Sequence, residues 1–208
     1  RLADYYSSLG RWQHANQQLS NLFGRQAIAM MWDFPEANPF SGKGGSFDNL
    51  FDWTVQSIEH LGKGAAGQAA QADAASSTLA AMKVVSTDPP YYDNIGYSDL
   101  SDFFYVWLRR SLSGVFPELL STMLVPKAEE LVANPYRHGG KDGAKGFFET
   151  GFEHVFTHAR ETATDDFPIT VYYAFKQSET DDRGEASTGW ETILGSMVRA
   201  GWTVTATW

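Results

Sequence analysis

The sequence predicts the α/β class: a sheet of short buried strands flanked by helices. Three observations carry the prediction. Residues 82–85 form a short run rich in apolar and β-branched side chains, as a central strand should, and Pro89 and Pro90 forbid its continuation. Residues 169–175 form a second run of the fully buried kind, opened by Pro168. Longer stretches of helical periodicity stand between and after these runs, so strands and helices alternate along the chain.

With 208 residues the chain is long enough for one such domain with a proper core. Its formal net charge of −9 argues against a domain that clamps nucleic acid over its whole surface, although a local basic patch could still meet phosphate. Seven Trp, nine Tyr and fourteen Phe can build a core or a base-stacking surface, and composition does not choose between them. The absence of Cys excludes disulfides, thiolate chemistry and a Cys-type zinc site within these residues, and no metal is expected. No apolar run is long enough to span a bilayer and no signal-peptide pattern opens the chain, so a cytoplasmic protein with no membrane partner is expected.

The elements follow in order. Leu2, Tyr5, Tyr6, Leu9 and Trp12, then Leu19, Leu22 and Phe23, recur at irregular helical spacing and predict one or two helices over residues 1–25. The Gln- and Asn-rich residues 14–21 would be their solvated face. Residues 27–32 are apolar throughout and read as a buried strand or as a helix continuing from Asn21. Residues 38–46 form a Gly-rich loop before a helix over about 47–61. Residues 1–62 thus read as a helical N-terminal segment with a Gly-rich loop. Residues 63–77, poor in large side chains, form a loop or a weak helix from about Gln68.

Ser98 can cap a helix running to about Leu112, with Asp99 and Asp102 in its first turn and Arg109 and Arg110 in its last, where each sign suits the macrodipole. Phe103, Val106 and Trp107 lie at i, i+3 and i+4 and predict an apolar face packed on the sheet. Residues 127–145 lack clear periodicity and hold Lys127, Arg137, His138, Lys141 and Lys145, the best candidate for a mobile, DNA-facing loop. Glu129, Glu130 and Asp142 dilute that charge, so an ordinary surface loop stays equally open. A helix over about 143–163 carries Phe147, Phe148, Phe152, Val155 and Phe156 on one side. After a polar turn at 181–187, Thr188-Gly189-Trp190-Glu191 reads as a capping box for a helix to about Arg199. Ala200 and Gly201 end it, and residues 202–208 alternate as a last strand.

The chemistry concentrates after the first buried run, at Asp88-Pro89-Pro90-Tyr91. The carboxyl ends of strands in open α/β sheets are where ligands bind, and here a carboxylate, a rigid turn and an aromatic ring arrive together. Proline removes amide donors and leaves carbonyl acceptors, which suits a site that must accept from an amine. A plainer reading also exists, in which the prolines end a strand and Asp88 caps a turn.

Asp88-Pro89-Pro90-Tyr91 resembles the catalytic motif of S-adenosylmethionine-dependent methyltransferases that modify amino groups of DNA bases. The longer run from Tyr91 through Asn94, Tyr97, Ser98 and Asp102 to Phe104, together with Thr170–Lys176 and Trp190-Glu191, resembles large prokaryotic adenine-specific DNA methyltransferases, some of which carry a zinc ribbon. The resemblance spans nearly the whole chain and is strongest from Val85 to Arg110. It implies a Rossmann-like methyltransferase sheet flanked by helices, of which residues 63–208 would be the catalytic half. The sheet reads as incomplete, because no convincing first strand with its glycine loop and no final partner strand is legible. An upstream part of the same protein is therefore expected.

The implied reaction is methyl transfer to N6 of adenine in DNA, with S-adenosyl-L-methionine as cofactor. Asp88 and a carbonyl of the Pro89-Pro90 turn would accept from the exocyclic amine, draw its nitrogen toward tetrahedral geometry and aim its lone pair at the sulfonium methyl. Tyr91 would stack on the base after it is flipped from the duplex, with Tyr92, Asp93 and Asn94 lining the same pocket. Asp73 resembles the strand-end carboxylate that accepts from the cofactor's adenine amine, and is equally an ordinary exposed Asp. Residues 38–46 mimic the family's Pro-Phe-x-Gly-x-Gly loop, but Asn38 stands where that pattern is acidic. Cytosine N4, RNA or a protein glutamine are alternative acceptors, and a non-catalytic nucleic-acid-binding or scaffold module is the alternative outside enzymes.

Overall fold

The structure, a computed structural model, describes residues 11–20, 32, 36, 38–43, 45–62, 64–92, 95–173 and 188–207. The chain divides into two compact units, Arg1–Ala69 and Ala70–Trp208.

In the first unit, β1 (Arg11–Gln13) and β2 (Gln18–Ser20) pair antiparallel, with Trp12 opposite Leu19. Where one or two helices are expected over residues 1–25, the described part, 11–20, is a hairpin. Gln17 explains the difference: its φ of 50° lies in the left-handed region, which ends helical geometry and turns the chain back. Residues 1–10 and 27–31 lie outside the described residues. Helix α1 (Phe47–Glu59) forms close to its expected bounds. Its start is set by the loop before it. The Phe47 amide donates to the Pro39 carbonyl at 3.0 Å, the Ser46 amide to Lys43 at 2.9 Å, and the Ser46 hydroxyl accepts from the Asn49 amide at 3.5 Å.

The second unit is built on helices α3 (Lys141–Thr162) and α4 (Thr188–Arg199), which pack on one another. Phe148, Phe152 and Phe156 recur every fourth residue and so share a face of α3. That face is fully buried with Ala144, Ile193 of α4 and Ala133. Successive ring centroids stand 4.5 and 5.9 Å apart. Gly201 closes α4 at φ 86°: its amide donates to Val198 and that of Trp202 to Met197, both at 3.0 Å. Glycine suits this left-handed stop, and the two bonds satisfy the helix's last carbonyls.

Strands β3 (Ser86–Thr87) and β4 (Thr170–Val171) pair parallel, Ser86 beside Thr170 and Thr87 beside Val171. The ladder continues through the Thr170 amide to Val85 at 3.0 Å and the Tyr172 amide to Thr87 at 2.8 Å. Three strand expectations are corrected here. Residues 82–85 are not a buried strand. Met82 takes a φ of 55°, its amide donates to Thr162 at 2.9 Å, and Met82 and Val84 are exposed. The run is fastened to the carboxyl end of α3 before extended structure begins. Of the described residues 169–173 only 170–171 are ladder, and Tyr172 is half exposed, because the described sheet offers β4 a single neighbour; residues 174–175 lie outside the described residues. Residues 202–207 form no ladder among the described residues. Trp202 docks on α3 instead, its indole N–H donating to the Phe156 carbonyl at 3.0 Å and its ring lying 5.5 Å from the Arg160 guanidinium.

Helix α2 (Tyr97–Leu112) overturns a further expectation. Ser98 does not cap it; Gly96 is the N-cap and Ser98 sits buried inside the first turn. Nor is Phe103–Val106–Trp107 the buried face, for Val106 and Trp107 are exposed. The inward stripe is Ser98, Asp102 and Tyr105, four and then three residues apart. The segment 122–130 receives it. The Tyr105 hydroxyl donates to the Thr122 carbonyl at 2.9 Å, and Asp102 accepts from the Val125 amide at 2.9 Å and from Lys127 at 2.8 Å.

Candidate active site

A parallel pair ends on one side, and β3 and β4 each deliver side chains to that side. From β3 come Asp88, Pro89, Pro90 and Tyr91; beyond β4 comes Tyr173. The Tyr91 ring meets Tyr173 edge-on at 5.2 Å, and the Tyr173 hydroxyl accepts from the Tyr92 amide at 3.2 Å. Tyr173 in turn stacks on Trp190 of α4 at 6.0 Å. A Cβ on Gly189 would press on Tyr92 and on the Tyr173 hydroxyl, so this glycine lets α4 approach the motif.

Asp88, Pro89, Pro90 and Tyr91 line a cleft of about 1270 Å³, and Asp73 lines the same cleft. Side chains 15 residues apart, Asp73 and Asp88, are thus brought to one site. Tyr97, Glu129, Glu130, Phe147 and His154 complete its polar and aromatic wall. Pro89 is buried and Asp88 is exposed, so the turn is anchored while the carboxylate stays accessible. Among the described residues no hydrogen bond engages the Asp88 carboxylate. Asp73 is already used in part: Oδ1 accepts from the Ala75 amide at 2.9 Å and Oδ2 from the Ser76 hydroxyl at 3.2 Å. Each carboxylate oxygen keeps a second acceptor position.

Tyr92 does not line this cleft. It turns into the core, its ring 5.0 Å from Phe148 and its carbonyl accepting from the Ala133 amide at 2.7 Å. The alternation of side chains past the prolines sends Tyr91 and Tyr92 to opposite sides. Asp93 and Asn94 lie outside the described residues. The Gly42–Gly45 loop belongs to the first unit.

The stretch 127–145 is not a free basic arm. Lys127 pairs with Asp102 at 2.8 Å. Arg137 bridges Glu130 at 2.7 Å and Asp99 at 2.6 Å, and Lys145 faces Glu149 at 3.8 Å. Val132 and Ala133 are buried, so the segment is part of the packed unit. His138 stacks on Phe147 at 3.8 Å. Among the described residues, Lys43, Lys83, Arg109, Arg110 and Lys141 are cations without an ion pair, and no group of three His, Asp or Glu could hold a metal.

Glu130 fastens α2 to this wall. Its Oε1 accepts from the Ser98 amide at 2.8 Å and its Oε2 from the Ser98 hydroxyl at 2.6 Å, with Arg137 on the same oxygen. Burial pushes the Glu130 carboxyl up, but the bonds from Ser98 and Arg137 outweigh it and hold the group below its ordinary value. Asp102 is likewise held low, chiefly by the hydrogen bond from Lys127. Tyr97, the first residue of α2, accepts from the Tyr91 amide at 3.4 Å through its hydroxyl. Burial raises its pKa against the lowering effect of that bond, and the negative charges of Asp88 and Glu130 raise it further.

Sequence reasoning missed Glu130 and Tyr97 as site residues. Tyr97 stood within the motif's aromatic continuation, a usable signal; Glu130 gave none, because its partner Ser98 is 32 residues away. The cleft wall carries Asp73, Asp88, Glu129 and Glu130 and neither Lys nor Arg. Such a wall favours cations and amine donors and disfavours phosphate. No helix among the described residues is long and apolar enough to cross a membrane. No family model, curated protein or solved structure matches the chain.

Proposed function

We propose that the chain is the catalytic region of an S-adenosylmethionine-dependent methyltransferase acting on the exocyclic amine of a DNA base, N6 of adenine foremost, in the cytoplasm. The observation that carries this reading is the shared cleft: Asp73 and Asp88–Tyr91 border one cavity beyond the carboxyl end of β3. A Rossmann-like sheet, of which β3 and β4 would be two adjacent strands, belongs to the same reading. The cleft's volume exceeds the usual range for one small ligand, which suits a site that holds a cofactor and a base together.

The donor set fits the cofactor. A sulfonium cation is favoured by a wall whose Asp73, Asp88 and Glu129 carboxylates have no ion pair among the described residues, and the remaining acceptor positions of Asp73 suit an adenine amine. When bound there, S-adenosylmethionine supplies an electrophilic methyl group. The chain's own residues orient the acceptor. Asp88 takes a hydrogen bond from the amine and reduces its conjugation with the ring. The carbonyls of the anchored Pro89-Pro90 turn offer a second acceptor, and Tyr91 offers its ring to the base.

A second reading, a protein-glutamine acceptor, is favoured by the internal pairing of Lys127 and Arg137, which removes the expected phosphate contacts of that segment. One experiment addresses both: tritiated-methyl transfer by the full-length protein to DNA, RNA and protein pools. Label is expected in DNA, and Asp88→Ala should lower it by about 10²-fold or more. Undiminished transfer by that variant removes the proposal.

A further inference from the structure

We propose that Tyr97 reads the ring nitrogen beside the reacting amine, so that Asp88 and Tyr97 together select a base edge that presents a donor next to an acceptor. This rests on the reading of the cleft as a base site.

Both side chains line the one cleft. The exposed Asp88 carboxylate can only accept. The Tyr97 hydroxyl already accepts from the Tyr91 amide at 3.4 Å, so its proton remains for a partner in the cleft. Burial and the neighbouring carboxylates keep that hydroxyl protonated across the physiological range, so it remains a donor. Its position is imposed from outside the motif. Tyr97 opens α2, and the next residue, Ser98, is gripped through amide and hydroxyl by Glu130, itself held by Arg137. Arg137 also reaches Asp99, closing a clamp around the first turn of the helix.

An acceptor at Asp88 beside a donor at Tyr97 is the complement of a particular edge. Adenine presents its N6 amine next to the N1 acceptor, and cytosine its N4 amine next to N3. Guanine and thymine present a carbonyl next to an N–H, which would set oxygen against the Asp88 carboxylate and N–H against the Tyr97 proton. A flipped base is read along this edge. Sites built to hydrogen-bond a substrate group discriminate against analogues that lack it, because the protein group is then left unpaired.

The test is calorimetric titration of the full chain with adenosine, 1-deazaadenosine (N1 replaced by C–H) and inosine. The wild type should bind adenosine about tenfold more tightly than 1-deazaadenosine, and inosine more weakly still. Tyr97→Phe should bind adenosine and 1-deazaadenosine nearly equally, whereas Asp88→Asn should keep the N1 preference. A wild type that does not prefer adenosine, or a Tyr97→Phe variant that keeps the preference, overturns the proposal. The analogue series on the wild type needs no variant to fold. Methyl transfer is measured separately: transfer without an N1 preference sinks this inference alone, and an N1 preference without transfer to any acceptor sinks the methyltransferase reading alone.

Discussion

Helix α3 buries Phe148, Phe152 and Phe156 against Ile193 of α4, whereas α2 buries Ser98 and Tyr105 and leaves Trp107 in solvent. Both helices carry an apolar stripe at helical spacing. Only α3 uses its stripe to pack. Helix α2 is held by its polar side, through Glu130, Lys127 and the Thr122 carbonyl. The difference matters for function. Apolar burial is non-directional and stabilises without fixing a particular atom. Hydrogen bonds and ion pairs are directional, and here they set the first turn of α2, where Tyr97 reaches the motif.

The largest effect should come from the apolar side. Phe148→Ala removes a fully buried ring and should cost about 3–5 kcal/mol of unfolding free energy, read from urea denaturation of the full chain. A loss below about 1 kcal/mol would mean that α3 and α4 do not form the core.

Glu130→Gln should cost about 2–3 kcal/mol at pH 7, because it leaves the largely buried Arg137 with one carboxylate instead of two. The pH dependence has a definite sign. The folded pKa of Glu130 is depressed below its ordinary value of 4.5, so its contribution is present above that pH and is lost as pH falls through the folded value. The gap between wild type and Glu130→Gln should therefore close on acidification below 4.5. A gap that is constant down to pH 2 would show that the clamp is not electrostatic.

Trp107→Ala should be the mildest change, within about 0.5 kcal/mol, since the side chain is 60% exposed. A cost near that of Phe148→Ala would reverse the comparison and make the apolar stripe of α2 its packing face.

Much of the helical layout was legible. Phe148, Phe152 and Phe156 repeat at helical spacing, with Val155 beside Phe156 on the same side of a helix but not of a strand, and Gly201 marks the stop of α4. The strands were less so. Two-residue ladders have no periodicity to detect, and an apolar run such as 82–85 is buried only if a layer covers it. Asp88–Tyr91 was legible as an abrupt turn with acceptor chemistry. That Tyr92 faces the core and not the cleft was not, because it depends on Ala133, Phe148 and Tyr173, which lie 41, 56 and 81 residues away in the chain.

By itself the sequence determined that 47–59, 97–112, 141–162 and 188–199 are helical, where a carboxylate meets a rigid proline turn, and that no cysteine chemistry is present. Those properties are local: backbone sterics, side-chain periodicity and functional groups act within a few residues. Tertiary structure alone decided which face of α2 is buried, that Lys127 and Arg137 serve carboxylates within the fold, and that Asp73, Asp88 and Tyr97 share one cleft. These depend on partners 25, 38 and 32 residues away, for Lys127–Asp102, Arg137–Asp99 and Glu130–Ser98. A polar group's choice between water and a distant partner is settled only when the chain has closed around it.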